Sequence, residues 1–408
     1  MRIISKKLRN FARGMTYRLV ISLLLLTMTT LATAQRRQLQ EARVILKGDK
    51  DYDKAEKLMT DLLEDSTNLD NKRIYDMWLQ AVEKQYGQLN EQMYKKEVVD
   101  TTKLFELTQR MFHIGTHLDS LDMKPDKKGR VNPEYRKDNA LKLMAYRPNL
   151  FYGGTYHLRK GELEEAYTFL EQYINCDQQP LFSGSNLMET DERMGEAAYW
   201  ATNCGYRMKD PIRTLRYATL AKRDTTKLEH TLQYTAEAWR ALNDQESYVV
   251  TLREGFERFP ESAYFFPRLM DSYASRGNYD KALEVAEEAL ATDSLNTLFM
   301  MAKSTMLLNM GRYAECLDYS QKLIANDGMA AEGFYNAGTA CMNIALRMDS
   351  RKHKKQIRKM YEKALPYMET YRQLAPDETQ KWGEALYRIY FNLNMGKQFD
   401  EIDKILRK

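Results

Sequence analysis

Residues 263–296 read AYFFPRLMDSYASRGNYDKALEVAEEALATDSLN, and residues 297–330 read TLFMMAKSTMLLNMGRYAECLDYSQKLIANDGMA. The second segment repeats the pattern of the first at a period of 34 residues. Four pairs of equivalent positions show this: Gly277 and Gly311, Tyr279 and Tyr313, Ala282 and Cys316, and Leu290 and Ile324. A repeat of this length is one supersecondary unit, so it predicts an array of stacked units rather than a single globular core.

Each copy has the pattern of two amphipathic helices joined by a tight turn. In the first copy, one apolar face is formed by residues at helical spacing, namely Phe266, Leu269, Met270 and Tyr273. Gly277 then ends this helix, because glycine tolerates a left-handed backbone. The second helix carries a stripe of small residues, which let two helix backbones approach closely: Ala282, Ala286 and Ala289. Neither helix buries its apolar face alone, so the neighbouring unit must cover it.

Residues 1–34 have the features of a secretory signal peptide. Six Lys and Arg precede an apolar core at residues 19–28, and the segment ends in the small residues Ala32, Thr33 and Ala34. The apolar core is shorter than the roughly 17–25 residues that cross a bilayer. We therefore expect cleavage before Gln35 and export to the periplasm or cell envelope, or secretion. A retained membrane anchor is the alternative.

Without this segment the chain has almost no net charge. The full sequence holds 62 Lys and Arg against 57 Asp and Glu, and removing the six basic residues of the segment leaves 56 against 57. Domains that bind nucleic acids carry a marked basic excess. The composition therefore predicts no nucleic-acid partner, and it predicts no stable membrane span after signal cleavage.

Four cysteines remain after cleavage: Cys176, Cys204, Cys316 and Cys341. So few scattered cysteines do not form the dense framework of a disulfide-stabilised secreted protein. Cys316 occupies the small-residue position that Ala282 fills one repeat earlier, which favours a buried free thiol. A bond between Cys316 and Cys341, or between Cys176 and Cys204, stays open because sequence spacing does not give the distance between two sulfurs.

The repeat register extends through most of the chain. It predicts N-terminal helical hairpins over 35–119 with a first repeat at 36–69, a polar connector over 120–146, a repeat array over 147–378, and C-terminal capping helices over 379–408. Units of the array begin near residues 147, 195, 229, 263, 297 and 331. The connector is rich in Pro, Gly, Lys and Arg, which is typical of a mobile loop. An interaction loop is the alternative.

Two stretches exceed the period by 14 residues each. One covers residues 181–194, which carry no periodic pattern. The other lies at about residues 344–360, inside the unit that begins near residue 331. Fourteen residues divided between the two helices of a hairpin add about two turns to each, so we expect a taller hairpin there.

The 34-residue pattern resembles the tetratricopeptide repeat, and the sequence as a whole is similar to secreted bacterial proteins of that class. Tyr273 keeps the aromatic residue that the family places in the first helix. The equivalent position holds other residues in other units, namely His157, Trp239, Leu307 and Cys341. The resemblance implies an all-α, right-handed superhelical solenoid of antiparallel helix pairs, with about eight to nine pairs after the signal peptide.

In this family the first helix of each repeat lines a concave, ligand-binding surface. The resemblance therefore implies these contact residues: Tyr199, Asn203, Tyr206, Arg207, Gln233, Glu237, Arg240, Tyr264, Asp271, Met301, Thr305, Tyr335 and Asn343. Exposed tyrosines beside Arg and Asn suit a peptide groove, because aromatic rings supply rigid contact area and Arg supplies directional hydrogen bonds. We expect the centre of this groove at residues 199–240. An ordinary solvated face is the alternative.

Some family members bind chaperones by clamping a C-terminal carboxylate with Lys, Asn and Arg side chains. Asn203 and Arg268 match two of the five clamp positions. Tyrosines occupy the other three, at Tyr199, Tyr234 and Tyr264. The resemblance therefore implies no carboxylate clamp in this chain.

The sequence contains no catalytic motif. His113 and His117 lie four residues apart, which places them on one face of a helix with a geometry that can hold a metal. The metalloprotease signature is missing, because Ile114 follows His113 where that motif has Glu. Two histidines also fall short of the usual three or four ligands. We therefore predict no enzymatic activity, no metal and no other cofactor.

A basic run spans residues 351–358 around His353. It suits an anionic surface such as lipid headgroups or a polyanionic glycan. The alternative is a solvated face of the inserted helical turns.

Together, these features predict a non-catalytic scaffold of the bacterial cell envelope that binds a protein or peptide along its groove. Two alternatives stay open. One is a structural spacer that acts through the hairpin at about 344–360, and the other is a carbohydrate-binding module whose groove tyrosines stack on sugars. The identity of the partner and the oligomeric state do not follow from the sequence.

Overall fold

A computed structural model describes residues 35–48 and 50–407, so the predicted signal peptide lies outside the described residues. The secondary structure of these residues is helical and contains no β-strand. The chain divides into two compact units between Tyr234 and Thr235, which we call the N-terminal unit and the C-terminal unit.

The N-terminal unit contains α1 (residues 35–47), α2 (Tyr52–Leu63), α3 (Lys72–Tyr94), α4 (Thr101–Asp122), α5 (Arg136–Tyr146), α6 (Pro148–Lys160), α7 (Leu163–Asn175), α8 (Leu187–Thr190), α9 (Met194–Arg207), α10 (Pro211–Arg216) and α11 (Ala218–Ala221). The next helix, α12 (Leu228–Ala241), crosses the division. The C-terminal unit continues with α13 (Gln245–Arg258), α14 (Phe265–Ala274), α15 (Tyr279–Thr292), α16 (Thr297–Asn309), α17 (Tyr313–Asn326), α18 (Ala331–Leu346), α19 (Lys354–Leu374), α20 (Thr379–Leu393) and α21 (Gly396–Leu406).

Helix pairs build the C-terminal unit. Within pairs, α14 packs on α15, α16 on α17, α18 on α19 and α20 on α21, and each second helix also packs on the first helix of the next pair. Gly277 and Gly311 have φ angles of 70° and 72° at two of the turns, a left-handed backbone that glycine adopts without strain. Ala282 and Ala286 of α15 are fully buried. The predicted all-α class and its helix pairs are confirmed.

The predicted taller hairpin is formed by α18 and α19. The second helix has 21 residues where α17 has 14, so it gains two turns as expected. The first helix has 16 residues against 13 in α16, which is less than one extra turn. The rest of the surplus lies in the connection at residues 347–353. The expected equal division between the two helices is therefore wrong.

The predicted connector at residues 120–146 is wrong at both ends. α4 continues to Asp122, and α5 occupies the second half of the segment. Leu143 of α5 is fully buried and Asn139 is 4% exposed, in a helix that packs on α4. Burial of these two side chains stabilises a helix whose apolar periodicity is weak.

Asp122 fixes the chain where α5 begins. Its carboxylate accepts hydrogen bonds from the backbone N–H groups of Glu134 at 3.1 Å, Tyr135 at 2.7 Å and Arg136 at 3.1 Å. Lys72 Nζ lies 3.1 Å from the same carboxylate. Burial alone would raise the pKa of Asp122, but these hydrogen bonds outweigh burial and lower the pKa below its ordinary value. One buried side chain therefore ties α3, α4 and α5 together.

The insertion at residues 181–194 contains short helical turns that pack on other parts of the N-terminal unit. Phe182 is 2% exposed. Asp191 accepts a hydrogen bond from the Tyr173 hydroxyl at 2.5 Å and pairs with the Arg147 guanidinium at 2.5 Å. The guanidinium also lies 3.7 Å from the centre of the Tyr173 ring. This network fastens the insertion to α7 and to the residue that precedes α6.

The repeat that begins near residue 195 has a broken second helix, made of α10 and α11 with Tyr217 between them. α9 approaches this helix very closely. A Cβ atom at Gly205 of α9 would lie 2.4 Å from the backbone nitrogen of Thr214. Only glycine allows the two backbones to pack at this distance.

Gly205→Ala is expected to lower the free energy of unfolding by about 1–3 kcal/mol, because the added methyl group would push α9 away from α10. Gly87→Ala in α3 is the matched control, since no atom lies within 4 Å of a Cβ there. That change should be neutral or raise stability by up to about 1 kcal/mol, because alanine favours the helix. Chemical denaturation measures both, and equal effects would contradict the close approach.

All four cysteines are buried and free, so neither of the two possible disulfide bonds forms. Burial raises the pKa of the Cys176 and Cys204 thiols to about 12 and that of the Cys341 thiol to about 11. Burial also raises the pKa of Cys316. Protonated thiols are poor nucleophiles. The cysteines therefore act as small core residues.

Candidate functional site

The predicted contact residues of α9 are divided between core and surface. Tyr199 is 5% exposed, and its ring packs against those of Trp200 and Tyr234, with centroids 4.8 Å and 6.3 Å away. Asn203 is buried too, and its amide donates a hydrogen bond to the Tyr234 hydroxyl at 3.2 Å. The prediction of these two as contact residues is wrong, because Tyr234 from the next first helix, α12, covers both side chains.

Tyr206 and Arg207 are exposed at the end of α9. The Tyr206 ring stacks on the Tyr234 ring at 4.4 Å with an interplanar angle of 22°. We call Tyr206 and Tyr234 the aromatic platform. Gln233 of α12 is half-buried, and its amide donates a hydrogen bond to Glu229 at 3.2 Å. In the N-terminal unit, the exposed residues of the predicted groove are thus Tyr206, which stacks on the half-buried Tyr234, and Arg207.

Glu237, Arg240 and Tyr264 belong to a polar network in the C-terminal unit. The Glu237 carboxylate accepts a hydrogen bond from the Tyr264 hydroxyl at 2.6 Å and pairs with the Arg240 guanidinium. The Arg268 guanidinium lies 3.9 Å from the centre of the Tyr264 ring. Burial, and then the hydrogen bond to Glu237, raises the pKa of Tyr264. Glu237 and Tyr264 therefore hold their neighbours in place, and the Arg240 side chain, 61% exposed, faces solvent.

Two of the predicted residues, Tyr335 and Asn343, line a pocket of about 150 Å³ between α18 and α20. These are the first helices of successive pairs, so the pocket lies on the face where contacts were expected. Four further polar side chains line it: Thr339, Lys381, Glu384 and Arg388. Three further predicted contact residues of the C-terminal unit lie outside the pocket. Asp271 is exposed, and Met301 and Thr305 are half-buried.

The pocket contains polar groups without protein partners. The Thr339 hydroxyl oxygen is buried and has no hydrogen-bond partner among the described residues. Within residues 35–48 and 50–407, Glu384 and Arg388 form no ion pair and no side-chain hydrogen bond. Lys381, in contrast, lies 3.3 Å from Glu378 and 3.6 Å from Glu332. The pocket can therefore receive one polar side chain, to which the exposed Arg388 guanidinium would donate hydrogen bonds.

Sequence reasoning missed Lys381, Glu384 and Arg388 because it treated residues 379–408 as capping helices outside the array. A signal was present in α20, since these three residues are spaced by three and four positions and so share one helical face. Applying the first-helix rule to α20 would have found them. Thr339 carried a signal as well, because it lies 34 residues after Thr305 and so takes the same position in the first helix of its unit.

A second cavity, a cleft of about 640 Å³, lies between α4 and α7 in the N-terminal unit. His113 lines it together with amide side chains such as Gln109 and Gln172. His117 instead packs against the Tyr75 ring at 4.7 Å, and burial lowers its pKa. Within residues 35–48 and 50–407, no three His, Cys, Asp or Glu side chains gather as a metal site would require.

Of the helices that the structure describes, none combines the length and the hydrophobicity needed to traverse a membrane.

No protein-family model matches the sequence, and no curated protein matches it. One similar solved structure is the C-terminal part of a TPR repeat-containing protein from Cytophaga hutchinsonii, with 11% identity and a TM-score of 0.42 over 62% of this chain and 93% of that one. Another is YrrB, described as a TPR protein with an unusual peptide-binding site, with 16% identity and a TM-score of 0.34 over 48% of this chain and 94% of that one. Human IFIT1, solved as a dimer with m7Gppp-AAAA, has 15% identity and a TM-score of 0.35 over 80% of this chain and 72% of that one. Scores this low carry no argument about function, and the fold assignment rests on the helix pairs themselves.

Proposed function

We propose that this chain is a non-catalytic scaffold that binds a segment of a protein or peptide, with the pocket between α18 and α20 receiving one polar side chain of that segment. The unpaired groups of the pocket carry this proposal. The Arg388 guanidinium is exposed and forms no ion pair among the described residues, so it can donate hydrogen bonds to a bound side chain.

Preorganisation of the pocket supports the same function. The Tyr335 ring packs against the buried Tyr371 ring at 5.1 Å, and Glu332 and Glu378 hold Lys381. The walls are α18 and α20, with Tyr361 contributed by α19. Tyr335 and Lys381 would therefore lose little side-chain freedom on binding, which leaves more of the interaction energy as affinity.

We also propose that the scaffold works in the bacterial cell envelope. The sequence of residues 1–34 supports this location through its basic start, apolar core and small-residue end. The test is to express the full chain with a C-terminal tag in a Gram-negative host, then fractionate the cells. A mature protein that begins at Gln35 in the periplasmic fraction agrees with the proposal, and an uncut cytoplasmic protein contradicts it.

The aromatic platform favours a second candidate function, the binding of a carbohydrate. Tyr206 is 41% exposed and is held by its stack on Tyr234. A rigid, exposed ring of this kind suits the apolar face of a sugar. In that case neutral oligosaccharides, rather than peptides, should bind, and Tyr206→Ala should remove their binding.

We expect Arg388→Ala to weaken peptide binding at least tenfold, because hydrogen bonds to a charged group contribute about 1.5–3 kcal/mol. Displayed random peptides are selected on the immobilised mature chain, and enriched peptides are then synthesised and titrated by fluorescence anisotropy. Arg276→Ala is the matched control, since this arginine is exposed in the turn between α14 and α15. The affinity of this variant for the peptides should stay within twofold of that of the unchanged protein. Equal affinity of both variants would contradict the pocket as the binding site.

A further inference from the structure

Residues 351–359 form a basic tip at the top of the α18–α19 hairpin. Six of these nine residues are Lys or Arg, and all six are exposed. The nearest acidic residues in the sequence are Asp349 and Glu362. Glu362 pairs with Arg358 at 3.0 Å, and Asp349 accepts a hydrogen bond from the backbone N–H of Arg351. The side chains of the other five Lys and Arg form no ion pair within the described part of the chain.

A second basic run, at residues 124–130 between α4 and α5, allows a comparison of ion pairing. Lys124 pairs with Asp70 at 2.7 Å, and Arg130 pairs with Asp126 at 2.9 Å. Two of the four Lys and Arg of that run are thus paired, whereas among the described residues one of the six at the basic tip forms an ion pair.

The position of the tip charges works against helix stability. Lys354, Lys355 and Arg358 lie in the first two turns of α19, and its first turn contains no acidic residue. The N-terminal end of a helix carries a partial positive charge, so cations there are unfavourable. The helix dipole therefore gives no stabilising role to these three residues.

The tip charges also belong to the part of α19 that the repeat does not require. In register with Tyr313, where α17 begins, the repeat helix would begin at Tyr361. Residues 354–360 are the added turns, and they hold four of the six Lys and Arg. The insertion therefore carries most of the positive charge of the tip.

We propose that the basic tip docks on the surface of a bilayer that contains anionic phospholipid. Clusters of four to eight Lys and Arg are the sequence pattern that binds anionic headgroups. Leu346, the last residue of α18 and part of the pocket lining, is 59% exposed and precedes the tip by five residues in the sequence. An exposed apolar side chain next to cations fits the boundary between headgroups and acyl chains better than it fits a fully polar polyanion. This surface goes beyond the proposed binding of a peptide segment.

The test is co-sedimentation of the mature chain with vesicles of phosphatidylcholine containing about 30% phosphatidylglycerol, and with vesicles of phosphatidylcholine alone. We expect binding to the mixed vesicles only, with at least a tenfold loss when the salt concentration is raised to about 0.5 M. The variant that replaces Lys352, Lys354, Lys355 and Lys359 with Glu should lose binding at least tenfold. Its melting temperature should be equal or higher, because Glu is favourable at the start of a helix.

The matched control carries the same change of charge elsewhere, with Lys57, Lys127, Lys128 and Lys137 replaced by Glu. All four are exposed. Vesicle binding of this control should stay within threefold of the unchanged protein. Equal losses in both variants would overturn the proposal, as would equal binding to both kinds of vesicle. Binding to soluble heparin without binding to vesicles would overturn it in favour of a polyanionic glycan.

Discussion

Asp122→Ala is expected to lower the free energy of unfolding by about 3–5 kcal/mol, because it removes one partner of a buried charged network. The variant would leave the backbone N–H groups of Glu134, Tyr135 and Arg136 without their acceptor. It would also leave the Lys72 ammonium without its counter-charge. We expect α5 to detach first, which hydrogen exchange of residues 136–146 would show. Urea denaturation of the mature chain gives the loss of stability.

The matched control is Asp126→Ala, a few residues further along the chain. Asp126 pairs with Arg130 and accepts hydrogen bonds from the backbone N–H groups of Lys128 and Arg130. Its side chain is 43% exposed, so water can replace these contacts and its removal should cost less than about 1 kcal/mol. Similar losses in the two variants would show that Asp122 does not tie α3, α4 and α5 together.

The effect of Asp122→Ala should also depend on pH. Since folding lowers the pKa of Asp122 below the ordinary 3.8, the carboxylate stabilises the folded chain fully above that value. This contribution is lost as the pH falls through the lowered pKa. The difference between the variant and the unchanged protein should therefore be largest at neutral pH and shrink in acid.

Arg147→Met is expected to lower the free energy of unfolding by a similar amount, about 3–5 kcal/mol. Arg147 is 5% exposed, pairs with Asp191 and donates a hydrogen bond to the backbone oxygen of Tyr173 at 3.1 Å. Methionine keeps much of the volume but leaves the Asp191 carboxylate without its cation. The insertion at residues 181–194 should then exchange its amide hydrogens faster than α7 does.

Arg193→Met provides the comparison for that variant. Arg193 is exposed and donates a hydrogen bond to the Tyr152 hydroxyl at 2.8 Å. We expect a loss of less than about 1 kcal/mol from an exposed contact of this kind. If Arg147→Met changed neither the denaturation midpoint nor the exchange of residues 181–194, the network would not be what holds the insertion.

Local chemistry made the helix pairs predictable. Gly277 and Gly311 mark turns because their backbones are left-handed, and Ala282 marks a close contact because it has almost no side chain. Helix α5 could not be predicted in the same way. It forms because Leu143 is buried against other helices, and that burial is a property of the folded chain.

The sequence predicted the helical face that carries the candidate site, but it did not predict which residues of that face are accessible. Position within the first helix identified Tyr335 and Asn343, which line the pocket. It also selected Tyr199 and Asn203, which Tyr234 covers. A residue's place on its own helix cannot show which neighbour will pack over it. The unpaired groups of the pocket depend in the same way on how α18 and α20 meet.

The added turns of α19 determine how far the charges of the basic tip lie from the rest of the hairpin. Seven residues at 1.5 Å each raise the basic tip about 10 Å above the end of the neighbouring α17. That height is close to the Debye length, which is about 8–10 Å at physiological ionic strength. A surface touched by the tip would therefore sense the tip charges while the rest of the hairpin stays largely screened. A chain with a formal charge of only +5 over 408 residues can in this way present a strongly positive end.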